Sequence, residues 1–240
     1  MTRKKQTQTR TKRNEEPDSK TGHYNIRKQL KFKNEAQKEA YDIIRDHRIS
    51  FMCGPAGTAK SFLAVNQGLD ELYKGNVGKI ILTRPMVEAA GEKMGFLPGT
   101  LEEKISPYMT PLFDFIGNAL SEREIQAHLA QKTIEICPLA FMRGRTLIDS
   151  FVIADEMQNA NFDQIKMLLS RIGEGSKIVL TGDSKQSDLR SSCCFDRVAK
   201  GLSPLSFIGY YKFGKEHIVR DKIIGEMLDK LEDMENENLV

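Results

Sequence analysis

The chain has 240 residues, 40% of them hydrophobic and 29% charged, which is typical of one globular domain with a sizeable core. Apolar runs stay well short of the roughly 20 residues of a membrane span, and the basic N-terminus lacks the apolar segment of a secretory signal. Four cysteines without a C-x-x-C pair favour reduced thiols over a disulfide framework or a zinc site. We therefore expect a cytoplasmic protein with no membrane partner.

The net charge of +3 is unevenly distributed. Residues 1–33 hold eleven Lys or Arg and three Asp or Glu, a net charge of +8, which leaves −5 for the rest of the chain. Residues 1–30 also have too few apolar side chains to pack, so they are predicted to be a disordered basic arm before a single domain at 31–240. Such an arm suits a phosphate-rich partner such as nucleic acid, or it is only a solvated tail.

In chain order, the first elements alternate between helix and strand. Asn34 is a candidate N-cap for a helix, and residues 49–53 form an apolar run that ends at a Gly-Pro pair. A second helix is predicted from Ser61 to a stop at Gly75, followed by a buried-type strand at 79–83.

The remaining strands follow a segment at about 91–130, whose glycines, prolines and later helical spacing predict an insertion of short helices. Five more strands are predicted, at 133–137, 150–155, 177–183, 207–213 and 217–220, with a helix after the second of them and an acidic helix at the C-terminus. Continuous apolar strands that alternate with helices predict an α/β fold with a mainly parallel sheet covered on both faces.

A phosphate-binding loop is predicted between the first strand and the second helix. Residues 54–61, GPAGTAKS, match the P-loop pattern in the strand–loop–helix context that it requires. The expected nucleotide contacts are Gly54, Pro55, Ala56, Gly57, Thr58, Ala59, Lys60, Ser61 and Phe62. Lys60 is expected to reach the β- and γ-phosphates of ATP, and the Ser61 hydroxyl to bind Mg²⁺. Ala59 replaces the commoner glycine, which we expect to be tolerated at negative φ with slower or more selective turnover.

Two further motifs complete the predicted site. The strand at 151–156 ends in Asp155, a predicted Mg²⁺ ligand, and Glu156, a predicted base or orienter for an attacking water. The strand at 177–183 leads to Gln186, which is expected to reach that water or the phosphate, while Thr181 or Asp183 is a candidate γ-phosphate sensor. Each motif alone also suits ordinary solvent-facing turns, but the three in this order predict a P-loop ATPase.

At these residues the sequence resembles the PhoH family, the phosphate-starvation-inducible ATPases of bacteria and their phages. The similarity runs from about Asn34 to Ile224, and the small size favours a phage source. It is carried by the P-loop and by LTRPMVEAAGEKMGFLPGTLEEKISPY, PLAFMRGRTL, DEMQN and LTGDSKQSDL (82–108, 138–147, 155–159 and 180–189). The resemblance implies a three-layer, RecA-like P-loop NTPase fold, similar to the first motor domain of superfamily-one helicases.

The resemblance also implies roles for residues outside these loops. Gln37 matches an adenine-reading glutamine, with the polar face of its helix as the alternative, and Arg220 resembles an arginine finger, with a surface ion pair as the alternative. Arg84, Arg143 and Arg145 are candidates for contact with RNA or with a neighbouring site. Family members are associated with RNA and ring-shaped oligomers, so a hexameric ring on RNA or single-stranded DNA is expected.

The predicted function is Mg²⁺-dependent ATP hydrolysis, with Lys60, Glu156, Gln186 and Arg220 as the catalytic residues. One motor lobe lacks the second wall of a two-lobed site, so a further copy would supply that wall or it is absent. Two alternatives stay open: a nucleotide-dependent scaffold or switch with little turnover, and a small-molecule kinase. The kinase is disfavoured because it needs no water-activating Glu156.

Overall fold

A computed structural model of the chain describes residues 30–86, 110–111, 113–189, 193–219 and a few positions near the C-terminus (223, 227, 230, 233 and 234). The basic arm and the first half of the predicted insertion therefore lie outside the described residues, as does most of the predicted C-terminal helix. The domain boundaries stay a prediction.

Six parallel strands form the sheet, in the order β3-β2-β4-β5-β1-β6. Their bounds, from β1 to β6, are Ile49–Cys53, Lys79–Thr83, Ile134–Ile136, Ser150–Ala154, Lys177–Gly182 and Ile208–Lys212. The central strands β1, β4 and β5 are almost entirely buried, because helices cover both faces of a parallel sheet.

Five helices are described in full, α1 to α5, at Glu35–Asp46, Lys60–Tyr73, Glu122–Ala130, Phe162–Leu169 and Phe195–Leu202. Asn34 caps α1, as predicted, by accepting a hydrogen bond from the Gln37 amide, and Gly75 follows α2 with a φ of +72°. Residues 113–117 are also helical, so the described half of the insertion contains the predicted short helices.

Alternation along the strands divides the core between the two faces of the sheet. On β1, Met52 packs with α1, α2 and the insertion, whereas Phe51 and Cys53 pack with α4 and α5. On β4, Phe151 and Val152 divide in the same way. The two separate clusters make a three-layer fold, which confirms the predicted α/β class with a parallel sheet covered on both faces.

The last predicted strand, at 217–220, is wrong. The sheet ends at β6, and the chain continues through a 3₁₀ turn, Lys215–His217, into an irregular segment. The reason is a different backbone partner: the Val219 amide donates to the Gly57 carbonyl in the phosphate loop, at 3.0 Å, rather than to a neighbouring strand.

None of the helices in the described part of the chain combines the length and apolar character that a membrane crossing requires. The four cysteines are all free thiols, as predicted.

Gly54 marks the point where β1 leaves the sheet, and its neighbours leave no room for a side chain. Its φ is +129°, and a Cβ there would lie 2.5 Å from the Phe213 carbonyl oxygen. Gly75 also has a positive φ, but a Cβ there meets no atom within 4 Å.

These two glycines make a matched pair of variants. We expect Gly54→Ala to lower the free energy of unfolding by roughly 2–4 kcal/mol, because strain and overlap add. Gly75→Ala should cost only about 1 kcal/mol, the left-handed backbone alone. Urea unfolding monitored by circular dichroism measures both, and equal losses would contradict the steric role of Gly54.

Candidate nucleotide site

The phosphate loop folds into a concave turn of backbone amides. Gly54, Gly57 and Ala59 all have positive φ, at +129°, +85° and +76°, so the backbone turns sharply between β1 and α2. Ala59 is the N-cap of α2 and makes no side-chain cap. The first N–H groups of α2 are therefore open to an anion, where the helix dipole also favours negative charge.

The expectation of negative φ at Ala59 is wrong. The residue is left-handed because the loop must reverse direction within the few residues between Gly57 and Lys60. For an alanine this conformation costs roughly 1–2 kcal/mol relative to the right-handed region. The effect on turnover predicted for Ala59 stays a prediction, now with backbone strain as its physical basis.

The Lys60 side chain folds back into the phosphate loop. Its Nζ donates to the carbonyls of Gly54 and Pro55, at 2.6 and 2.8 Å, and the residue is only 9% exposed. Burial lowers the pKa of the ammonium group, while the nearby carboxylates, with Asp183 foremost, act in the opposite direction. A buried ammonium group that donates its hydrogen bonds to neutral carbonyls is stabilised further when a phosphate oxygen accepts from it.

Ser61 and Asp155 meet directly across the site. The Ser61 hydroxyl donates to Asp155 Oδ1 at 2.6 Å, and the Thr181 hydroxyl donates to the same oxygen in a short hydrogen bond. Thr181 thus contacts Asp155, although sequence analysis proposed it as a phosphate sensor. A hydroxyl next to a carboxylate, beside an anion-binding loop, fits Mg²⁺, which binds through one or two protein oxygens together with substrate phosphates.

Glu156 stands at the start of the turn after β4, in a left-handed conformation with φ at +54°. Its carboxylate accepts a hydrogen bond of 2.5 Å from the Gln158 side chain and lies 3.9 Å from the Arg84 guanidinium. Arg84, a candidate for contact with RNA or a neighbouring site, therefore lies against Glu156 of its own chain. Both residues line the cleft in front of the phosphate loop.

Gln158 connects the two acid-bearing loops, a role that sequence analysis missed. It is 1% exposed, its Nε2 holds Glu156, and its Oε1 accepts the Asp183 amide at 3.1 Å. The Ser187 hydroxyl also donates to its carbonyl, at 2.8 Å. The residue was visible within DEMQN, but no sequence pattern distinguishes a buried amide that links two loops from a surface one.

Three further residues were predicted to belong to the site, and the structure describes two of them. Gln186 lines the cleft beside Asp183. Gln37 is buried against the phosphate loop, where its Nε2 donates to the Thr58 carbonyl at 3.5 Å and its Oε1 accepts the Lys33 amide at 2.9 Å, so both ends of the amide are engaged. Arg220 lies outside the described residues.

The two arginines of the MRGRT segment differ in their surroundings. Arg145 makes a bidentate ion pair with Glu135, at 2.5 and 3.0 Å, and also contacts Cys137 Sγ at 3.3 Å. Its guanidinium is therefore already paired with a residue of β3. Arg143 is exposed.

Together these elements surround a cleft of about 470 Å³ at the carboxyl ends of the strands. The walls come from the phosphate loop, the turn after β4, the loop after β5 and, unexpectedly, the insertion, which contributes Pro111, Phe115 and Asn118. Ligands of open α/β sheets bind at this edge. The insertion wall had no signal in the sequence, because it depends on how a distant segment packs.

Comparison with known proteins gives consistent results. The family profile described as "PhoH-like protein" matches residues 29–232. A PhoH-like protein of Bacillus subtilis is 40% identical over 207 residues, covering 84% of this chain and 64% of the relative. One of Mycobacterium tuberculosis is 43% identical over 195 residues (80% and 55%), and Protein PhoH of Escherichia coli is 36% identical over 200 residues (80% and 55%).

The chain thus spans between about half and two thirds of the length of these relatives. Among solved structures, the SWI2/SNF2 ATPase core of Sulfolobus solfataricus in complex with dsDNA is similar with a TM-score of 0.48 and 14% identity, covering 82% of this chain and 47% of that chain.

Removing the Gln158 side chain tests how much the link between the loops stabilises the protein. We expect Gln158→Ala to lower the free energy of unfolding by about 1–3 kcal/mol, because the buried Asp183 amide loses its acceptor. Gln126 on α3 is exposed, so Gln126→Ala is the control and should stay within about 0.5 kcal/mol of the wild type. Urea midpoints measure both, and similar values for the two variants would show that the link contributes little.

Proposed function

The chain belongs to the PhoH family, and we propose that it is an ATPase that hydrolyses ATP with Mg²⁺ and works as a ring of identical subunits on RNA or single-stranded DNA. The observation that carries the hydrolysis proposal is the contact between Ser61 on the phosphate loop and Asp155 on the turn after β4. Glu156, the next residue, lines the same cleft as the phosphate loop.

Each part of the site has a chemical task in this proposal. The amides at the start of α2 and the Lys60 ammonium bind the β- and γ-phosphates of ATP. Ser61 and Asp155 would hold Mg²⁺, which when bound neutralises charge on the phosphate oxygens. Glu156 orients the attacking water toward the γ-phosphate and accepts its proton. Gln158 and Arg84 fix the Glu156 carboxylate from two sides.

The loop after β5 completes the arrangement. Asp183 and Gln186 line the cleft opposite Lys60, and Gln158 joins this loop to Glu156. Gln186 is therefore positioned to respond to the γ-phosphate and to pass its presence to Glu156. Through these contacts, the conformation of the loop after β5 would depend on which nucleotide is bound. A motor requires such coupling, whereas a simple binding module does not.

A neighbouring copy would supply a second wall for the nucleotide site in this proposal. Val219 bonds to Gly57 of the phosphate loop, and Arg220 follows it in the sequence. We assign Arg220 as an arginine finger that acts on the site of the adjacent subunit, since an arginine neutralises charge that develops on the γ-phosphate. A heterologous contact repeated in this way forms a ring when the rotation between neighbouring subunits closes, and the proposed assembly is of this kind.

Substitution of Glu156 tests hydrolysis directly. We expect Glu156→Gln to lower kcat by about 10²–10⁴-fold while ATP affinity stays near the wild-type value, because the carboxylate acts on water and not on the bound phosphates. Phosphate release and equilibrium titration with ATP measure the two quantities, each with and without single-stranded RNA.

Glu174→Gln is the control, since Glu174 is exposed beyond the amino end of β5, and it should leave both quantities unchanged. Wild-type protein that binds ATP but scarcely turns it over would favour the nucleotide-dependent switch. Phosphate transfer to a metabolite would favour the kinase.

Mixing two inactive variants tests the ring and the trans role of Arg220 together. Glu156→Gln and Arg220→Ala subunits should each be inactive alone, whereas a 1:1 mixture should recover roughly a quarter of wild-type activity, because an intact Glu156 then meets an intact Arg220 at some interfaces. ATPase rates after subunit exchange, with the mass of the assembly from light scattering, provide the measurement. A mixture as inactive as its components would argue that Arg220 acts within its own chain.

A further inference from the structure

We propose that Phe141 and Arg143 form the contact surface for single-stranded nucleic acid, with the Phe141 ring as a stacking platform for a base and the Arg143 guanidinium as a phosphate contact. This inference rests on the proposed function, since it assigns residues to the polymer partner. The surface is called the 141–143 platform below.

The platform is an exposed aromatic ring on a rigid support. Phe141 is 48% exposed, yet it lies within a 3₁₀ turn, Leu139–Met142, whose first and last residues are buried at 1% and 0%. Those two side chains anchor the turn in the core beneath the sheet, so the ring faces solvent from a fixed backbone. A rigid, exposed ring gains base stacking at little cost in conformational entropy.

Charge around the platform favours a phosphate backbone over an apolar partner. Arg143 is exposed and extended immediately after the turn, and Gly144 beside it has open space around its Cα. Arg145 makes a bidentate pair with Glu135, so the carboxylate that β3 presents is already paired with another arginine. Adjacent aromatic and guanidinium groups are the combination that binds single strands without regard to sequence.

The position of the platform connects it to the nucleotide cleft. The Leu139 amide donates to the Arg84 carbonyl at 3.2 Å, and the Arg84 side chain lines the cleft next to Glu156. The turn that carries the platform is therefore joined to Glu156 by two contacts, from Leu139 to Arg84 and from Arg84 to Glu156. A polymer on the platform would lie close enough to bias Arg84 and Glu156, which gives polynucleotide stimulation of the ATPase a physical route.

The test uses the full chain and a fluorescein-labelled single-stranded RNA of about 20 uridines, long enough for more than one site. We expect Phe141→Ala to weaken the RNA affinity roughly tenfold, and Phe141→Leu to weaken it similarly, since leucine keeps apolar area but has no ring face. Phe141→Trp should keep the affinity. Arg143→Ala should reduce the slope of log affinity on log salt by about 0.7.

Controls come from the opposite edge of the sheet. Phe207 has the same 48% exposure as Phe141 and precedes β6. Arg171 is half-buried, donates to the Ser170 hydroxyl and precedes the amino end of β5. Phe207→Ala and Arg171→Ala should leave RNA affinity and salt slope unchanged. Thermal unfolding of every variant verifies that the fold is kept, which is expected because both target side chains are exposed.

The outcomes separate the inference from the proposed function. If wild type binds the RNA and all the Phe141 and Arg143 variants bind it equally, the platform is wrong while the nucleic-acid partner stands. If wild type binds neither this RNA nor a single-stranded DNA of the same length, both are wrong. If Phe141→Ala changes the mass of the assembly in light scattering but not RNA affinity, the ring covers a contact between subunits and the inference is overturned.

Discussion

The nucleotide site depends on one contact, between the Ser61 hydroxyl at the start of α2 and the Asp155 carboxylate at the end of β4. These residues are 94 positions apart in the chain, and only the parallel sheet brings them together. Strand β5 lies between β1 and β4, and its Thr181 reaches Asp155 from that intermediate position. The site is thus assembled from three strand ends, each of which would be an ordinary turn without the others.

Hydrogen bonds around that contact hold the loops of the site in position. Gln158 ties Glu156 to the loop after β5, Gln37 ties the helix α1 to the phosphate loop, and Val219 ties the segment after β6 to Gly57. Each of these bonds holds a connecting segment that contains at most one short 3₁₀ turn. Two of the non-glycine residues at positive φ, Ala59 and Glu156, lie in the loops that these bonds hold, so the surrounding structure sustains their conformation.

The fold and the central site could be predicted from the sequence because their signals are local. Apolar runs predicted β1, β2, β4 and β5, and spacing around Lys60 and Asp155 predicted their meeting. The failures concern residues whose structure depends on distant partners. The apolar Ile218 and Val219 suggested a strand, but the Ile218 amide donates to Lys215 and the Val219 amide donates to Gly57 of the phosphate loop. The sign of φ at Ala59 is imposed by the turn. Gln158 and Phe115 became site residues only through packing.

The Mg²⁺ dependence of ATP affinity tests the Ser61–Asp155 contact most directly. Calorimetric titration of wild type and Asp155→Asn with a non-hydrolysable ATP analogue, with and without Mg²⁺, separates metal binding from turnover. The account predicts that Mg²⁺ tightens binding to wild type by at least tenfold and that Asp155→Asn loses about that gain, since one of the two proposed protein oxygens for the metal is altered. An equal Mg²⁺ gain in both proteins would contradict it.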